Sequence, residues 1–456
     1  MKLGVVILAA GQGTRMKSEL PKVLHPLAGL PLLGHVAAAA RDVGAACIVV
    51  VYGHGGKQVP SAFADADLQW VEQAEQLGTG HAVQQALPSM AEMDRVLVLY
   101  GDVPLTSAET LQALLRAAEG SPLALLTVTL EDATGYGRIV RDQNGRVSRI
   151  VEQKDASAEQ LAIGEINTGI MVVDRAALQR WLAKLDNDNA QGEFYLTDIV
   201  AMATAEGAHV RSAQPADSYE VMGVNDRLQL AVLERRYQQL AAQRLMRGGV
   251  TLRDPARFDL RGVLHAGQDV DVDVNVLIEG EVSLGNGVHI GANSGIRDSR
   301  IGDGVRILEN CVIEQAVIGE NSRIGPFSRI RPETELAPNV HVGNFVEIKK
   351  TQVDEGSKIN HLSYVGDSII GRSVNIGAGT ITCNYDGANK HQTIIGDDAF
   401  IGSDTQLVAP VKVGAGATIG AGSTITRDVQ PGALALSRVQ QSSREGWQRP
   451  KKKPKA

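Results

Sequence analysis

At 456 residues, 43% of them hydrophobic and 21% charged, the chain is too long for one ordinary core, and it is no disordered polyelectrolyte; two or three domains are expected. Aromatics at 4% argue against base-stacking surfaces and membrane belts, and a net charge of −7 gives no general pull toward nucleic acid. Cys47, Cys311 and Cys383 are too scattered for a disulfide framework and form no metal-type cluster, so they read as free thiols in a reducing cytoplasm.

The first apolar run, Val5–Ala10, is too short for a signal peptide and ends in Gly11-Gln12-Gly13, which predicts a buried strand. No stretch of about 20 apolar residues predicts a spanning helix. Further strand-length runs follow at Ala46–Tyr52, Arg95–Tyr100, Leu123–Leu130 and Gly169–Val173. Helical patterns lie between them at Leu32–Val43, Gly80–Leu87 and Ala108–Ala118. This alternation predicts an α/β domain over 1–225: a Rossmann-like, mostly parallel sheet with helices on both faces. Ligands of such sheets bind where strands end in loops. A long helical pattern, Asp226 to Arg247, then predicts a connector over 226–249, stopped by Gly248-Gly249.

From about Val270 the period changes to six. Val270, Val276, Val282 and Val288 are one series. Ile318, Ile324, Ile330, Leu336, Val342 and Ile348 are a second, and Ile395, Ile401, Leu407, Val413, Ile419 and Ile425 a third. Small or β-branched residues recur four positions on, as at Ala399, Thr405 and Val411, and glycine often follows the aliphatic residue. This is a hexapeptide β-helix signature, three units to a triangular coil, and it predicts a prism over 250–456. The series breaks at Cys383–Ile394, a polar insert expected to project as a loop. The basic tail, Arg449 to Lys455, reads either as a solvated end or as help for an anionic ligand.

The glycine turn after the first strand is neither a dinucleotide fingerprint, since Met16 stands where a third glycine would, nor a Walker loop. It is followed by two cations, Arg15 and Lys22. Backbone N–H groups beside fixed cations suit a phosphate chain; an ordinary turn with solvated cations is the plainer alternative. Asp102 ends an apolar strand, where an α/β sheet places its ligands.

Leu8-Ala9-Ala10-Gly11-Gln12-Gly13-Thr14-Arg15-Met16 with Pro21-Lys22 resembles the signature of sugar-1-phosphate nucleotidyltransferases. Glu75–Ala82 (EQLGTGHA) and Tyr100-Gly101-Asp102-Val103-Pro104-Leu105 strengthen this. With the hexapeptide half in the same order, nearly the whole chain resembles the bacterial bifunctional family of N-acetylglucosamine-1-phosphate uridyltransferases and glucosamine-1-phosphate acetyltransferases. The resemblance implies a left-handed β-helix; the repeat itself does not reveal handedness. It also implies a cytoplasmic homotrimer acting on UTP, acetyl-CoA and glucosamine 1-phosphate.

Residue roles follow from the same resemblance. In the first half, Leu8, Ala9, Ala10, Gly11, Tyr100 and Gly101 line the nucleotide site, Lys22 binds the α-phosphate and Arg15 the departing pyrophosphate. Gln73, Gly78 and Thr79 read uracil; Gly137, Glu152 and Asn167 hold the sugar. The Mg²⁺ ligands are Asp102, a carboxylate that can hold the ion against nucleotide phosphates, and Asn225, although Asn225 alone reads as a helix cap before Asp226. In the second half, His361 is the base that frees the amine. Arg331, Lys349, Tyr364, Asn375 and Lys390 bind glucosamine 1-phosphate. Asn384 orients the amine or the carbonyl, and with Ala378, Tyr385, Ser403, Ala421 and Arg438 it contacts acetyl-CoA; Ser403 can donate to a developing oxyanion. Two rival readings are a single-activity nucleotidyltransferase with a structural β-helix and a non-catalytic assembly subunit.

Overall fold

The structure, a computed structural model, describes residues 1–11, 13–53, 56–64 and 67–452; Gln12 of the glycine turn and residues 453–456 of the basic tail lie outside the described residues. The chain divides into two compact units, Met1–Gln239 and Leu240–Ala456, and one helix, Arg227–Arg247, runs through the division.

The first unit is built on strands β1 (Leu3–Ala9), β2 (Cys47–Tyr52), β3 (Leu68–Glu72), β4 (Arg95–Tyr100), β5 (Leu123–Thr129), β6 (Arg138–Arg141), β7 (Val147–Val151), β8 (Glu165–Asp174) and β9 (Arg211–Ala213). The main sheet runs in the order β9-β5-β8-β4-β1-β2-β3, and β6 and β7 form a hairpin on β8. All seven residues of β1 are buried, because helices cover both faces. Alternation divides them: Val5 and Ile7 pack in one core with Leu33, Leu111 and Leu114, while Val6 and Leu8 pack in the other with Val83, Leu178 and Trp181.

Central strand β1 is parallel to β2 on one side and β4 on the other. The chain leaves β1 outward through β2 and β3, then returns to β4 on β1's other flank. The order therefore reverses between β1 and β4, and a crevice opens at their carboxyl ends. Two features were not legible in the sequence. Strand β8 is antiparallel to both β4 and β5, between which it sits; direction leaves no trace in a strand buried on both faces. Strand β3, Leu-Gln-Trp-Val-Glu, is short and half polar at the sheet edge.

The second unit is the expected left-handed β-helix. Val272, Ile290, Ile307, Ile324, Val342, Ile359 and Ile376 stack in parallel register up one face. Ile278, Ile296, Ile313, Ile330, Ile348 and Val365 climb a second. Leu284, Ile301, Ile318, Leu336, Val353 and Ile370 climb the third. Partners are mostly 17 or 18 residues apart, three hexapeptides to a coil. Val270, Val276, Val282 and Val288 also point inward, but two positions before this register, so they occupy the small-residue row rather than the aliphatic one.

At Gly319 and Gly402, glycine follows the aliphatic residue because of the coil above, not because of a corner. Gly319 and Gly402 have no left-handed backbone. A Cβ on them would lie 2.5 Å from Ala337 C and Ala421 N of the next coil. The corners fall elsewhere, at left-handed residues such as Asn275, Asn293, Asn310 and Asp298. The polar insert is extra chain within one coil: Ile376 pairs with Ile401, and Tyr385 bridges Lys390 across the projecting loop.

Candidate active sites

The crevice between β1 and β4 holds a cavity of about 300 Å³. Leu8, Ala9, Ala10, Gly11, Lys22, Gln73, Gly78, Thr79, Tyr100 and Asp102 all line it, joined by Gln76 and Glu193, which the sequence did not single out. Gly13 takes φ 62°, and a Cβ there would stand 2.6 Å from Lys22 Cβ, so the turn closes tightly on the lysine stem. Pro21 precedes the short turn Lys22–Leu24, which aims the ammonium at the end of β4. There Lys22 Nζ pairs with Asp102 Oδ2 and donates to Asn225 Oδ1 at 3.2 Å.

Asn225 is brought there by backbone: Val224 N–H donates to the Asp102 carbonyl at 2.8 Å. Capping of the following helix falls to Asp226, whose Oδ1 accepts from Gln229 N–H at 2.8 Å. Asn225 is thus released from the cap that its position suggested. Arg15 lies exposed on the turn Thr14–Met16 and is outside the cavity lining. Gly101 is buried against Val23 and Ala9 beneath the lining.

On the nucleobase side, Gln73 is buried and its Nε2 donates to the Gly78 carbonyl at 3.1 Å. Gly78, at φ 107°, has no room for a Cβ against Phe194 O. Thr79 Oγ1 accepts from Leu196 N–H at 3.2 Å, and Gln76 Nε2 donates to the Ala10 carbonyl at 2.7 Å.

Gly137, Glu152 and Asn167 form a second group. Asn167 N–H donates to the Gly137 carbonyl at 2.8 Å, and a Cβ on Gly137 would lie 3.2 Å from Glu152 Oε1. A break in register between Asn167 and Met171 in β8 re-aims this segment. Burial raises the Glu152 carboxyl above the usual carboxylate range, against the Thr197 hydroxyl, which donates to it at 3.2 Å. Tyr100 joins the two groups. Burial, Glu152 and Asp102 all push its phenol upward, and Gly169 leaves space for its ring.

In the β-helix the expected residues gather at two corners. At the first, one position recurs coil by coil as Asn344, His361, Ala378, Ser403 and Ala421. Gly379 N–H donates to the His361 carbonyl, Asp404 N–H to that of Ala378 and Gly422 N–H to that of Ser403. His361 is exposed, and its Nδ1 lies 3.0 Å from Asn344 Oδ1. That oxygen accepts the Nδ1 proton and leaves the Nε2 lone pair outward. A Cβ on Gly422 would be 3.7 Å from Arg438 Cδ, so Arg438 continues the column.

At the second corner Arg331 and Lys349 sit on successive coils, and Lys390 of the projecting loop joins them. Lys390, then Arg331, hold the Lys349 ammonium below its usual value by like-charge proximity. Asn384 is buried; its Nδ2 lies 3.3 Å from Tyr364 Oη and 2.5 Å from Asp367 Oδ2. Tyr385 is exposed at the start of the loop. Asn375 stands apart from this cluster, on the face that carries Lys358 and Phe400. Asn344 and Asp367 were not among the expected residues; only their partners across a coil show what they do.

Residues 5–190 match the family of MobA-like NTP transferase domains, residues 260–334 the GMPPB C-terminal domain, and residues 392–427 the six-repeat bacterial transferase hexapeptide. The chain is 60% identical over 453 residues to the bifunctional protein GlmU of Methylococcus capsulatus, covering 99% of this chain and 98% of that one. It is 59% identical over 450 residues to the protein of that name from Marinobacter nauticus, covering 99% of each. Against that of Ralstonia nicotianae it is 59% identical over 453 residues, covering 99% of this chain and all of the other.

The chain belongs to the bifunctional GlmU family. Alignment over both halves disfavours the single-activity alternative. As a GlmU-type enzyme the chain is both a nucleotidyltransferase using nucleotide substrates and an acetyltransferase. Among its described residues no helix is long and apolar enough to cross a membrane. Cys311 is packed inside the prism, where burial pushes its thiol up to about 11, so it is an inert core residue.

Proposed function

We propose that this bifunctional enzyme divides its two reactions between its two units. Glucosamine 1-phosphate is acetylated from acetyl-CoA on the β-helix. The resulting N-acetylglucosamine 1-phosphate then takes UMP from UTP in the β1/β4 crevice, giving UDP-N-acetylglucosamine and pyrophosphate for peptidoglycan and lipopolysaccharide synthesis. The convergence of Lys22, Asp102 and Asn225 at the topological switch point carries this reading.

In the crevice a phosphate oxygen of the sugar attacks the α-phosphorus of UTP in line. That oxygen is already an anion, so no general base is needed; alignment and charge neutralisation do the work. Lys22 holds the α-phosphate, and Arg15 meets the pyrophosphate from the rim. Gln73, Gly78 and Thr79 face the uracil; Gly137, Glu152 and Asn167 face the sugar. The donor set also fits a hard cation: one carboxylate oxygen and one carboxamide oxygen already converge on a positive charge, the Lys22 ammonium. Asp102 and Asn225 would hold Mg²⁺, a two-residue set typical of an ion that shares its shell with substrate phosphates. Bound there, the ion supplies further neutralisation of the phosphate charge.

On the β-helix the nitrogen of the amine attacks the thioester carbon, a C–N bond replaces the C–S bond, and coenzyme A leaves as its thiol. His361 Nε2 takes the amine proton, with Asn344 fixing the ring through Nδ1. The cations Arg331, Lys349 and Lys390 receive the sugar phosphate, with Tyr364 beside them and Asn375 on the adjoining face. Acetyl-CoA lies along the column Ala378, Ser403, Ala421 and Arg438, reaching Asn384 and Tyr385, with the Ser403 hydroxyl available to the oxyanion. No acetyl-enzyme is required.

This reading includes a cytoplasmic homotrimer. Leu362 and Asp367 mark successive corners of one coil, so the histidine and the cation cluster of one chain are about a strand's length apart, roughly 15 Å. Side-by-side prisms would bring one chain's His361 to a partner's cations. The exposed column Phe327, Phe345 and Leu362, beside His361, supports such a contact.

The test is an assay with glucosamine 1-phosphate, acetyl-CoA, UTP and Mg²⁺, leaving out each in turn. Omitting UTP should leave N-acetylglucosamine 1-phosphate as the product, and omitting acetyl-CoA should stop both products. Formation of a UDP-sugar from glucosamine 1-phosphate without acetyl-CoA would contradict the reading.

A further inference from the structure

Asn384 presents a carboxamide, which can offer either a donor or an acceptor, and its function depends on which end faces the substrate. Its surroundings decide. One oxygen of the Asp367 carboxylate lies 2.5 Å from the carboxamide, and a carboxylate only accepts, so the atom facing it is the NH₂ group. The second amide hydrogen points to Tyr364 Oη at 3.3 Å. Both hydrogens are therefore committed, and the carbonyl oxygen Oδ1 is the end that Asn384 has to offer.

The fold is built to keep this arrangement. Asp367 is itself buried, at a left-handed corner with φ 49°, directly after Gly366. A Cβ on Gly366 would lie 2.4 Å from Tyr364 Oη and 2.7 Å from Asn384 Nδ2, so only glycine lets tyrosine and carboxamide meet there. Gly366 is pinned in turn, its N–H donating to Thr382 Oγ1 at 2.8 Å. The insert that follows Asn384 returns Lys390 Nζ to 4.0 Å from the same Asp367 oxygen. One carboxylate thus holds both the carboxamide and a cation of the phosphate cluster.

We propose that Asp367 is a positioning residue for acetyl transfer, locking Asn384 so that its Oδ1 accepts an N–H from the amine of glucosamine 1-phosphate. A side chain locked this way cannot polarise the thioester carbonyl, because it has no free donor. This chooses between the two roles open to Asn384, the amine over the carbonyl. The proposal rests on the placement of acetyl transfer at this corner.

The test compares Asp367→Asn, Asn384→Ala and the exchange Asp367→Asn/Asn384→Asp in the full-length enzyme, with uridylyl transfer in the same preparation as the control for folding. Asp367→Asn, which removes the obligate acceptor at nearly constant volume, should lower kcat for acetylation about 10- to 100-fold while leaving KM for acetyl-CoA unchanged. The exchange restores a donor at position 367 facing an acceptor at position 384, with the second oxygen of the introduced carboxylate still open to the amine. It should recover most of the lost kcat, which a merely structural role for Asp367 would not predict. The proposal is overturned if Asp367→Asn acetylates at the wild-type rate while Asn384→Ala is impaired, or if the exchange is no better than Asp367→Asn. Wild-type acetylation by Asn384→Ala would instead remove the site reading beneath the proposal.

Discussion

Lys22 is the residue on which the first site turns. Its ammonium pairs with Asp102 and donates to Asn225, so it competes for the oxygens that would take a metal ion. Asp102→Ala should abolish uridylyl transfer and leave acetyl transfer at the wild-type rate; full uridylyl activity at saturating UTP and Mg²⁺ would refute the assignment. Asn344 offers a parallel case, since its side chain is hydrogen-bonded to the base. Asn344→Ala frees the His361 ring to rotate and change tautomer. The acetylation kcat should fall about 10-fold or more, with unaltered uridylyl transfer. Glu152 carries a pH prediction. Its carboxyl is raised by burial, so protonation is favoured in the fold, and its contribution to stability is greatest at low pH and declines as pH rises through the folded value. A carboxylate that accepts sugar hydroxyls is lost over the same range as pH falls. KM for N-acetylglucosamine 1-phosphate should therefore rise on acidification in the wild type and stay flat in Glu152→Gln.

Among the elements, the prism coil shows how one residue type can serve two ends. Glycine after the inward aliphatic residue is required by contact with the next coil, as at Gly319 and Gly402, whereas the left-handed corners are filled largely by asparagine, aspartate and other glycines. Gly402→Val should thus destabilise the β-helix by about 1–3 kcal/mol through overpacking, read as a lower unfolding midpoint of the second unit. The projecting loop is held by its own contacts. Asp386 accepts from the Asn389 and Ala388 N–H groups at 2.7 and 2.8 Å and pairs with His391 at 2.7 Å. These contacts, led by the Asn389 N–H, hold its carboxyl well below the usual range. A depressed carboxyl contributes order that is present above its unfolded value and fades as pH falls below it. Asp386→Ala should loosen the carriage of Lys390 and raise KM for glucosamine 1-phosphate, a change that an acetylation assay near neutral pH would detect.

Over the whole molecule, the proposed reading gives each unit its own reaction and divides the second site between chains. Chains bearing His361→Ala and chains bearing Asn384→Ala should each be inactive in acetylation. Mixed and reassembled, they should regain part of the activity, because some interfaces then pair an intact histidine with an intact carboxamide. No regain after verified exchange of subunits would count against a site shared between chains. The alternation of apolar runs and the period of six were enough to read both architectures, since apolar periodicity and glycine spacing are local properties of a chain; the hand of the β-helix and most of the crevice lining came from resemblance to the family. Strand direction, the capping of the long helix by Asp226 instead of Asn225, and the partners Asn344 and Asp367 depend on contacts between residues far apart in sequence or a full coil away. A linear pattern carries no record of which side chain will face which. The order of residues along the chain therefore determined the two architectures and the chemistry they hold, while only the tertiary structure decided the orientation of each polar group, because a hydrogen bond's direction is set by its neighbour in space.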